Sequence, residues 1–280
     1  MSDSDDTGYD GVRPEERSPE PITVDRLASD LRDLGVEPDD TLLVHTSLSA
    51  LGWVCGGPPA VVDALQSVLT DGTLVMPTHT SGQSDPSWWE NPPVPDDWEA
   101  TIRETMPPYR PEVTPARGMG AVAECFRSYP GVTRSAHPMY SFAAWGADAA
   151  TVTGDHGLDH GLGEGSPLAR VYDLDGRVLL LGPTHARNTS LHLAEYRSDV
   201  ELAPKTRGSP VLVDGEREWV EYGGAGVDDE DFPECGAAFE AATPEAVSRG
   251  EVGVAEVPLL DQRLLVDFGA EWFGANRTAD

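Results

Sequence analysis

Two histidines and a glutamate lie close together in one segment of the chain: His185, His192 and Glu195. An apolar run at 178–181 predicts a buried strand just before them, and the end of a strand is where α/β folds usually place their chemistry. Asn188 favours a helix start, so His192 and Glu195 fall three residues apart on one helix face. A carboxylate beside an imidazole fixes the tautomer and stabilises the imidazolium, which a general base requires.

The same residues allow other interpretations. His192 and Glu195 could form an ordinary helical ion pair or belong to the core. With His185 they could also bind zinc, although the H-E-x-x-H spacing is absent. The residue types in this segment therefore leave a general base, a structural pair and a metal site open.

Four further segments carry residues that could contact a ligand. Residues 45–53 follow a predicted strand and offer small hydroxyl side chains and backbone N–H groups that a phosphate or amide chain can approach. Residues 117–120 and 134–138 place arginines beside tight turns, which suits a phosphate. The glycine-rich loop at 156–167 contains Glu164, which could hold a cationic substrate. Taken alone, each segment is also explained by a capped turn or a solvated surface.

Hydrophobic periodicity predicts alternating helices and strands along most of the chain. An N-cap threonine, apolar residues at helical spacing and a terminal glycine predict the first helix, 24–34. Strands are predicted at 41–45, 73–76, 140–145 and 177–181, and further helices at 60–69, 119–128, 166–172 and 189–197. The predicted fold class is therefore α/β, with a mainly parallel central sheet and flanking helices.

The domain organisation follows from changes in composition. Residues 1–21 are acidic and lack apolar periodicity, which predicts a disordered leader. A single α/β catalytic domain is predicted over 22–272, followed by a tail at 273–280. Within it, the Pro/Trp-rich segment 81–116 predicts a long ordered insertion that shapes the site, and Asp214-Gly215 predicts a hairpin turn.

The chain is strongly acidic. It has 49 acidic and 19 basic residues, a net charge of −30, and Lys205 is its one lysine. Such a surface repels itself in dilute buffer and is tolerated where salt screens it, so a halophilic origin with a salt-rich cytoplasm is expected. The same charge argues against a nucleic-acid partner.

Several absences in the sequence favour a soluble cytoplasmic protein. No apolar stretch is long enough to cross a membrane, and the first residues have neither the basic start nor the apolar core of a secretory signal. The three cysteines are odd in number and form no C-x-x-C pair, which argues against disulfides and a thiolate zinc site.

Taken together, the motifs resemble the aminoglycoside 3-N-acetyltransferase family over about Thr23 to Phe268. Six segments carry the resemblance and occur in the order the family has them: 43–52, 75–80, 114–120, 134–138, 165–170 and 188–195. The resemblance implies an antibiotic-acetyltransferase type of α/β fold, distinct from the common N-acetyltransferase superfold. It also implies direct acetyl transfer from acetyl-CoA to an amine, classically the 3-amino group of a 2-deoxystreptamine aminoglycoside.

The resemblance also implies roles for individual residues. The family's Leu-His-x-Ala-Glu motif matches 191–195, which makes His192 the general base and Glu195 its orienting carboxylate. The expected coenzyme A contacts are Thr46, Ser47, Leu48, Ser49, Gly52, Thr78, Met119, Gly120 and Ser135. The expected substrate contacts are His79, Glu164, His185 and Asp228. No metal is expected, and the assembly is expected to be a monomer or a homodimer.

Two alternatives from other functional classes stay open. One is a metal-dependent hydrolase that uses His185, His192 and Glu195. The other is a non-catalytic protein that descends from the enzymes and binds coenzyme A or an amine.

Overall fold

Runs of aliphatic and β-branched residues form nine strands in the computed structural model, which describes residues 12–277. The strands are β1 (Thr41–Thr46), β2 (Thr73–Pro77), β3 (Thr133–Arg134), β4 (Phe142–Gly146), β5 (Arg177–Leu181), β6 (Pro204–Val213), β7 (Glu216–Ala225), β8 (Val247–Val252) and β9 (Ala255–Asp261). Seven of them form one sheet in the order β3-β4-β2-β1-β5-β9-β8, while β6 and β7 pair as a separate hairpin. The four strands predicted from the sequence correspond to β1, β2, β4 and β5.

The central sheet is mostly antiparallel, so the prediction of a mainly parallel sheet is wrong. Strand β1 pairs in parallel with β2 and β5. The pairs β2–β4, β3–β4, β5–β9 and β8–β9 are antiparallel. The helices that the sequence predicts between strands indicate the parallel pairing at the centre of the sheet, of β1 with β2 and with β5. They do not indicate how the outer strands pair. Only Gly253 and Val254 connect β8 to β9, and neighbouring strands joined by so short a turn must run antiparallel.

Helices cover both faces of this sheet. They are α1 (Pro14–Arg17), α2 (Val24–Leu34), α3 (Pro58–Val68), α4 (Glu99–Thr105), α5 (Gly120–Phe126), α6 (Ala149–Thr153), α7 (Pro167–Asp173), α8 (Ser190–Arg197), α9 (Phe232–Ala242) and α10 (Gln262–Asn276). Helices α2, α3 and α5 contribute to one apolar core, and α6 to α10 contribute to the other. Alternate side chains of β1 enter the two cores, Leu42 and Val44 on one face and Leu43 on the other, as the period of a strand requires.

The segment 81–116 packs against the hairpin of β6 and β7. The Tyr109 N–H donates a hydrogen bond to the Pro210 carbonyl at 2.9 Å, and Arg217 Nε donates to the Met106 carbonyl at 2.9 Å. The hairpin turns at Asp214-Gly215, as predicted, with both residues at positive φ.

The two ends of the chain differ from prediction where they are described. Of the expected disordered leader, residues 1–11 lie outside the described residues, but residues 14–17 form α1, and Arg17 donates hydrogen bonds to the Ser49 and Ala50 carbonyls. Of the expected tail, residues 278–280 lie outside the described residues. Helix α10 continues to Asn276 because Phe273 is fully buried in the core.

Across residues 12–277, no helix combines the length and the apolar character that a membrane crossing needs.

Candidate active site

Helix α8 carries the two residues expected to do the chemistry. It begins at Ser190, one residue later than predicted. Oδ1 of the fully buried Asn188 accepts a hydrogen bond from the Ser190 N–H at 3.2 Å, so Asn188 satisfies a backbone donor at the helix start. Leu191 and Ala194 are buried in the core, which fixes the rotation of the helix about its axis.

His192 and Glu195 form a hydrogen-bonded pair on this helix. Nδ1 of His192 lies 2.6 Å from Oε2 of Glu195, and the two side chains are 15% and 0% exposed. The ring of Phe232 packs edge-on against the imidazole, with centroids 4.8 Å apart. Because a carboxylate accepts hydrogen bonds, it places the imidazole proton on Nδ1 and leaves Nε2 free to accept another proton.

Arg277 holds the same carboxylate from the other side. Its Nη1 lies 2.5 Å from Glu195 Oε1, which also accepts the Asp228 N–H at 2.8 Å. Burial opposes the charge of Arg277, but hydrogen bonds to Asp231 and Glu195 outweigh it and raise the arginine pKa. Sequence reasoning missed Arg277, because the contact joins residues 82 positions apart and no local pattern indicates it.

Buried histidines stand where two of the parallel strands end. His45 lies near the end of β1, 5% exposed, with its Nε2 3.4 Å from Thr189 Oγ1. His79 follows β2, and its buried Nε2 has no hydrogen-bond partner within the described range 12–277. Burial lowers the pKa of His45 to about 3 and that of His79 well below its usual value, and the positive charge of a protonated His192 lowers both further. Both imidazoles are therefore neutral. Sequence reasoning placed His45 at the end of a strand and the start of the following loop and gave it no role of its own.

His185 belongs to a different contact network from His192. Its Nε2 lies 3.0 Å from Glu240 Oε1, and its Nδ1 lies 3.3 Å from Asn188 Nδ2. Helix α9 approaches it so closely that a Cβ on Gly236 would lie 2.0 Å from the imidazole Cγ. His185 therefore helps to pack α9 onto the start of α8.

The contacts of these residues also bear on the metal-dependent alternative. Among residues 12–277, no three histidine, cysteine or carboxylate side chains are grouped as metal ligands. Both ring nitrogens of His185 have partners, and both oxygens of Glu195 are hydrogen-bonded, one of them to a cation. A guanidinium on the carboxylate opposes a second cation there, so His185, His192 and Glu195 do not form a metal site.

The loop after β1 and the start of α5 lie side by side, as expected for residues that contact one ligand. Thr46, Ser47 and Leu48 are half-buried in that loop. Gly120 opens α5, and a Cβ there would lie 3.4 Å from the Thr46 carbonyl oxygen. Met119 packs against the apolar core beneath. The structure thus brings five of the predicted coenzyme A residues to one edge of the sheet.

Two other predicted contacts, Thr78 and Ser135, are committed to internal hydrogen bonds. The hydroxyl of Thr78 accepts from Arg134 Nε at 3.0 Å, and the hydroxyl of Ser135 accepts from the Phe142 N–H at 2.9 Å. Both residues are buried. Arg134 also donates to the Thr114 carbonyl at 2.5 Å, so the Thr78 hydroxyl, through Arg134, helps to join segment 81–116 to the sheet.

Ser49 and Gly52 are also buried, at the far side of the loop. The Ser49 carbonyl accepts a hydrogen bond from Arg17 of α1. Gly52 has φ 93°, and a Cβ there would lie 2.4 Å from Ser18 Oγ and 3.0 Å from Val254 Cγ2. Ser49 therefore contacts α1, whereas Gly52 lies against Ser18, just after α1, and against Val254 in the turn after β8.

The two predicted acidic substrate contacts differ in their surroundings. Glu164 forms a two-pronged ion pair with Arg197, at 2.7 and 2.9 Å, which lowers the pKa of its carboxyl group. Asp228 is exposed, while its backbone supports Glu195 and Arg277. Asp228 therefore has the freer carboxylate, next to the pair formed by His192 and Glu195.

With this geometry in place, the chain can be compared with known proteins. The sequence profile of the family described as aminoglycoside 3-N-acetyltransferase matches residues 43–274. YokD, an aminoglycoside N(3')-acetyltransferase-like protein from a prophage of Bacillus subtilis strain 168, is 46% identical over 255 residues, which is 90% of this chain and 93% of that protein. The crystal structure of YokD superimposes with a TM-score of 0.92 at 44% identity and covers 95% of this chain and 98% of that one.

Two more relatives extend the comparison. Aminoglycoside N(3)-acetyltransferase VII of Streptomyces paromomycinus is 40% identical over 273 residues, 91% of this chain and 93% of that enzyme. The structure of AAC-IIIb as a binary complex with CoASH superimposes with a TM-score of 0.82 at 29% identity, covering 93% of this chain and 100% of that one. The chain belongs to the aminoglycoside 3-N-acetyltransferase family and is an acyltransferase.

Proposed function

We propose that the protein moves the acetyl group of acetyl-CoA to an amine of an aminoglycoside or a related amino sugar, with His192 as the general base. The observation that carries this proposal is the row of contacts from Arg277 through the buried Glu195 carboxylate to His192 Nδ1. This arrangement leaves His192 Nε2 as the proton acceptor. Membership of the family supports the reaction class and the acetyl donor.

The proposed reaction needs a base because an ammonium group is no nucleophile. The ammonium group first loses one proton to water. As the resulting amine nitrogen attacks the thioester carbonyl carbon, His192 Nε2 takes a second proton from it, and Glu195 stabilises the imidazolium that results. The new C–N bond forms, the C–S bond breaks, and coenzyme A leaves as a thiolate that receives the proton from His192. Transfer is direct, so no acyl group passes through Cys55, which is exposed.

The donor is proposed to lie along the loop of Thr46, Ser47 and Leu48, beside Met119 and Gly120. This proposal is supported by the close approach of Gly120 to Thr46 and by the AAC-IIIb neighbour, whose structure contains CoASH. The acceptor is proposed to lie near His79, where Tyr140 packs against the imidazole, and near the exposed Asp228.

Further proposals concern the setting of the enzyme. We propose that it works as a monomer or a homodimer, in the salt-rich cytoplasm of a halophilic archaeon, and that residues 22–272 act as one catalytic domain shaped by the segment 81–116. The net charge of −30 supports the salt dependence, because counterions screen the repulsion among surface carboxylates. A thermal unfolding midpoint that fails to rise between dilute buffer and molar KCl would contradict it.

Release of the coenzyme A thiol tests the proposed reaction. The protein is incubated at molar KCl with acetyl-CoA and a panel of aminoglycosides and amino sugars, and free thiol is measured against a control without amine. Amine-dependent release is the expected result. If acetyl-CoA binds but no amine releases thiol, the protein is a non-catalytic binder. If the purified protein instead hydrolyses an amide only when it holds stoichiometric zinc, the metal-dependent hydrolase is the correct function.

A further inference from the structure

A small cavity beside the proposed active site is lined by three tyrosines and one cation. Tyr140, Tyr196 and Tyr222 form its aromatic walls, Arg207 supplies the charge, and the backbone of Gly223 completes its rim. The cavity has a volume of about 10 Å³, which is room for one oxygen atom of a ligand's functional group and not for a sugar ring.

Two of these tyrosines connect the cavity to the proposed base. Tyr196 lies four residues after His192 on α8, so both side chains project from the same face of the helix. Tyr140 packs against the ring of His79 with centroids 5.6 Å apart. A ligand whose amine reaches His192 can therefore place a neighbouring group in this cavity.

Arg207 gives the cavity a positive charge that the protein itself leaves unpaired. Within residues 12–277, no carboxylate forms an ion pair with Arg207, and its Nε is buried without a hydrogen-bond partner. The guanidinium stacks over Trp88 of the segment 81–116, 5.0 Å from the ring centroid. A buried donor without a partner is costly, so an acceptor from a bound ligand would satisfy it.

The tyrosines favour the same kind of ligand. Burial raises the pKa of Tyr140, and burial raises those of Tyr196 and Tyr222 to about 12, so all three phenols stay protonated. The Tyr222 hydroxyl already shares a hydrogen bond with Ser209 Oγ at 2.8 Å, so the phenols of Tyr140 and Tyr196 are the ones that can donate to an anion. The carboxylates of Glu195 and Asp228 lie on the His192 side and are engaged with Arg277 or exposed to solvent.

We propose that this cavity binds an anionic group of the acceptor, so that the preferred substrate is an amino sugar carrying a phosphate or a carboxylate near its amine. The inference rests on the proposed function and narrows its acceptor class. A polycationic aminoglycoside would instead bring a further positive charge toward Arg207. Carboxylate and phosphate both match the guanidinium fork.

Three amino sugars that share the same ring but differ in charge test the inference. Glucosamine, glucosamine 1-phosphate and muramic acid present a neutral, a phosphate and a carboxylate neighbour to the amine, and a polycationic aminoglycoside is the fourth arm. For the unaltered protein, kcat/KM is expected to be highest for one of the two anionic sugars. In Arg207→Gln, the ratio of kcat/KM for that sugar to kcat/KM for glucosamine is expected to fall about 10- to 100-fold, as loss of a charge-assisted hydrogen bond implies.

A matched control removes an arginine elsewhere. Arg32 lies on α2, whose apolar face packs in the core on the other side of the sheet. Among residues 12–277 its guanidinium donates to backbone carbonyls and to no carboxylate, so Arg32→Gln is expected to leave the ratio unchanged. An unchanged ratio in Arg207→Gln, or the highest kcat/KM for the polycation, overturns the inference while the acetyltransferase stands.

A binding measurement separates this inference from the proposed reaction. Glucosamine 1-phosphate and muramic acid are each titrated calorimetrically into the unaltered protein and into Arg207→Gln, whose folding is checked by circular dichroism. Weaker binding to the variant is expected even if no acceptor is acetylated. Equal binding to both proteins overturns the inference.

Discussion

Arg277 Nη1 lies 2.5 Å from Glu195 Oε1, on the opposite side of the carboxylate from His192. The arginine extends from the end of the last helix, where it also pairs with Asp231 and stacks on Phe273 with its Cζ 4.0 Å from the ring centroid. The orientation of the proposed base thus depends on a residue at the far end of the sequence.

The first prediction concerns this ion pair. Arg277→Met keeps the length of the side chain but leaves a fully buried carboxylate without its cation, so the free energy of unfolding is expected to fall by about 3 to 5 kcal/mol. Chemical denaturation at fixed KCl measures it. In a double-mutant cycle, Arg277→Met should lower the free energy of unfolding much less in the Glu195→Gln background than in the unaltered protein. A coupling energy near zero would mean that the pair does not stabilise the protein.

The second prediction concerns the base itself. His192→Ala is expected to slow acetyl transfer by on the order of 10²- to 10⁴-fold, because proton transfer from the acceptor amine is lost. Calorimetry should show that acetyl-CoA still binds. The matched control is His185→Ala. It is expected to lower the free energy of unfolding, since His185 packs against Gly236, and to slow acetyl transfer much less than His192→Ala does. Comparable loss of rate in both variants would place the base elsewhere.

The third prediction concerns pH and His137. Its Nδ1 accepts the N–H groups of Met139 and Tyr140, at 3.1 and 3.0 Å, and burial lowers its pKa from 6.5 to about 3. Between these values the unfolded chain binds a proton that the folded protein does not. The stabilisation is therefore complete above pH 6.5 and is lost as pH falls toward 3.

A variant without a titrating group tests this dependence. His137→Asn retains an acceptor near Nδ1, so its unfolding free energy should fall less steeply on acidification, by up to about 1.4 kcal/mol per pH unit. The exposed His160 provides the control, and His160→Asn should follow the unaltered protein. Identical pH slopes for the His137 variant and the unaltered protein would show that His137 titrates normally.

The fourth prediction compares two helical glycines. A Cβ on Gly236 would lie 2.0 Å from the His185 ring, whereas a Cβ on Gly274 would have its nearest neighbour 4.0 Å away. Alanine at 236 is expected to lower the free energy of unfolding by about 1 to 3 kcal/mol through overpacking. Alanine at 274 should raise it by about 0.4 to 1 kcal/mol by restricting the unfolded chain. If alanine at 236 also raises the free energy of unfolding, the expected overpacking against His185 is wrong.

Local patterns in the sequence account for much of the fold. The N-cap threonine, the helical spacing of the apolar residues and the terminal glycine were enough to predict where α2 begins and ends, Val24–Leu34. The apolar runs predicted the positions of β1, β2, β4 and β5. The direction of the outer strands was not predictable in this way. It depends on which strands meet at the sheet edges, and strand pairing is a contact between distant parts of the chain.

The sequence by itself determined that His192 and Glu195 share one helix face, because three residues of helix bring side chains together whatever surrounds them. Tertiary structure alone decided that Arg277 holds their carboxylate, that His185 serves packing, and that Thr78 is committed to Arg134. Each of these outcomes depends on which side chains meet across the core, and the chain between Glu195 and Arg277, which lie 82 positions apart, carries no local signal of that contact.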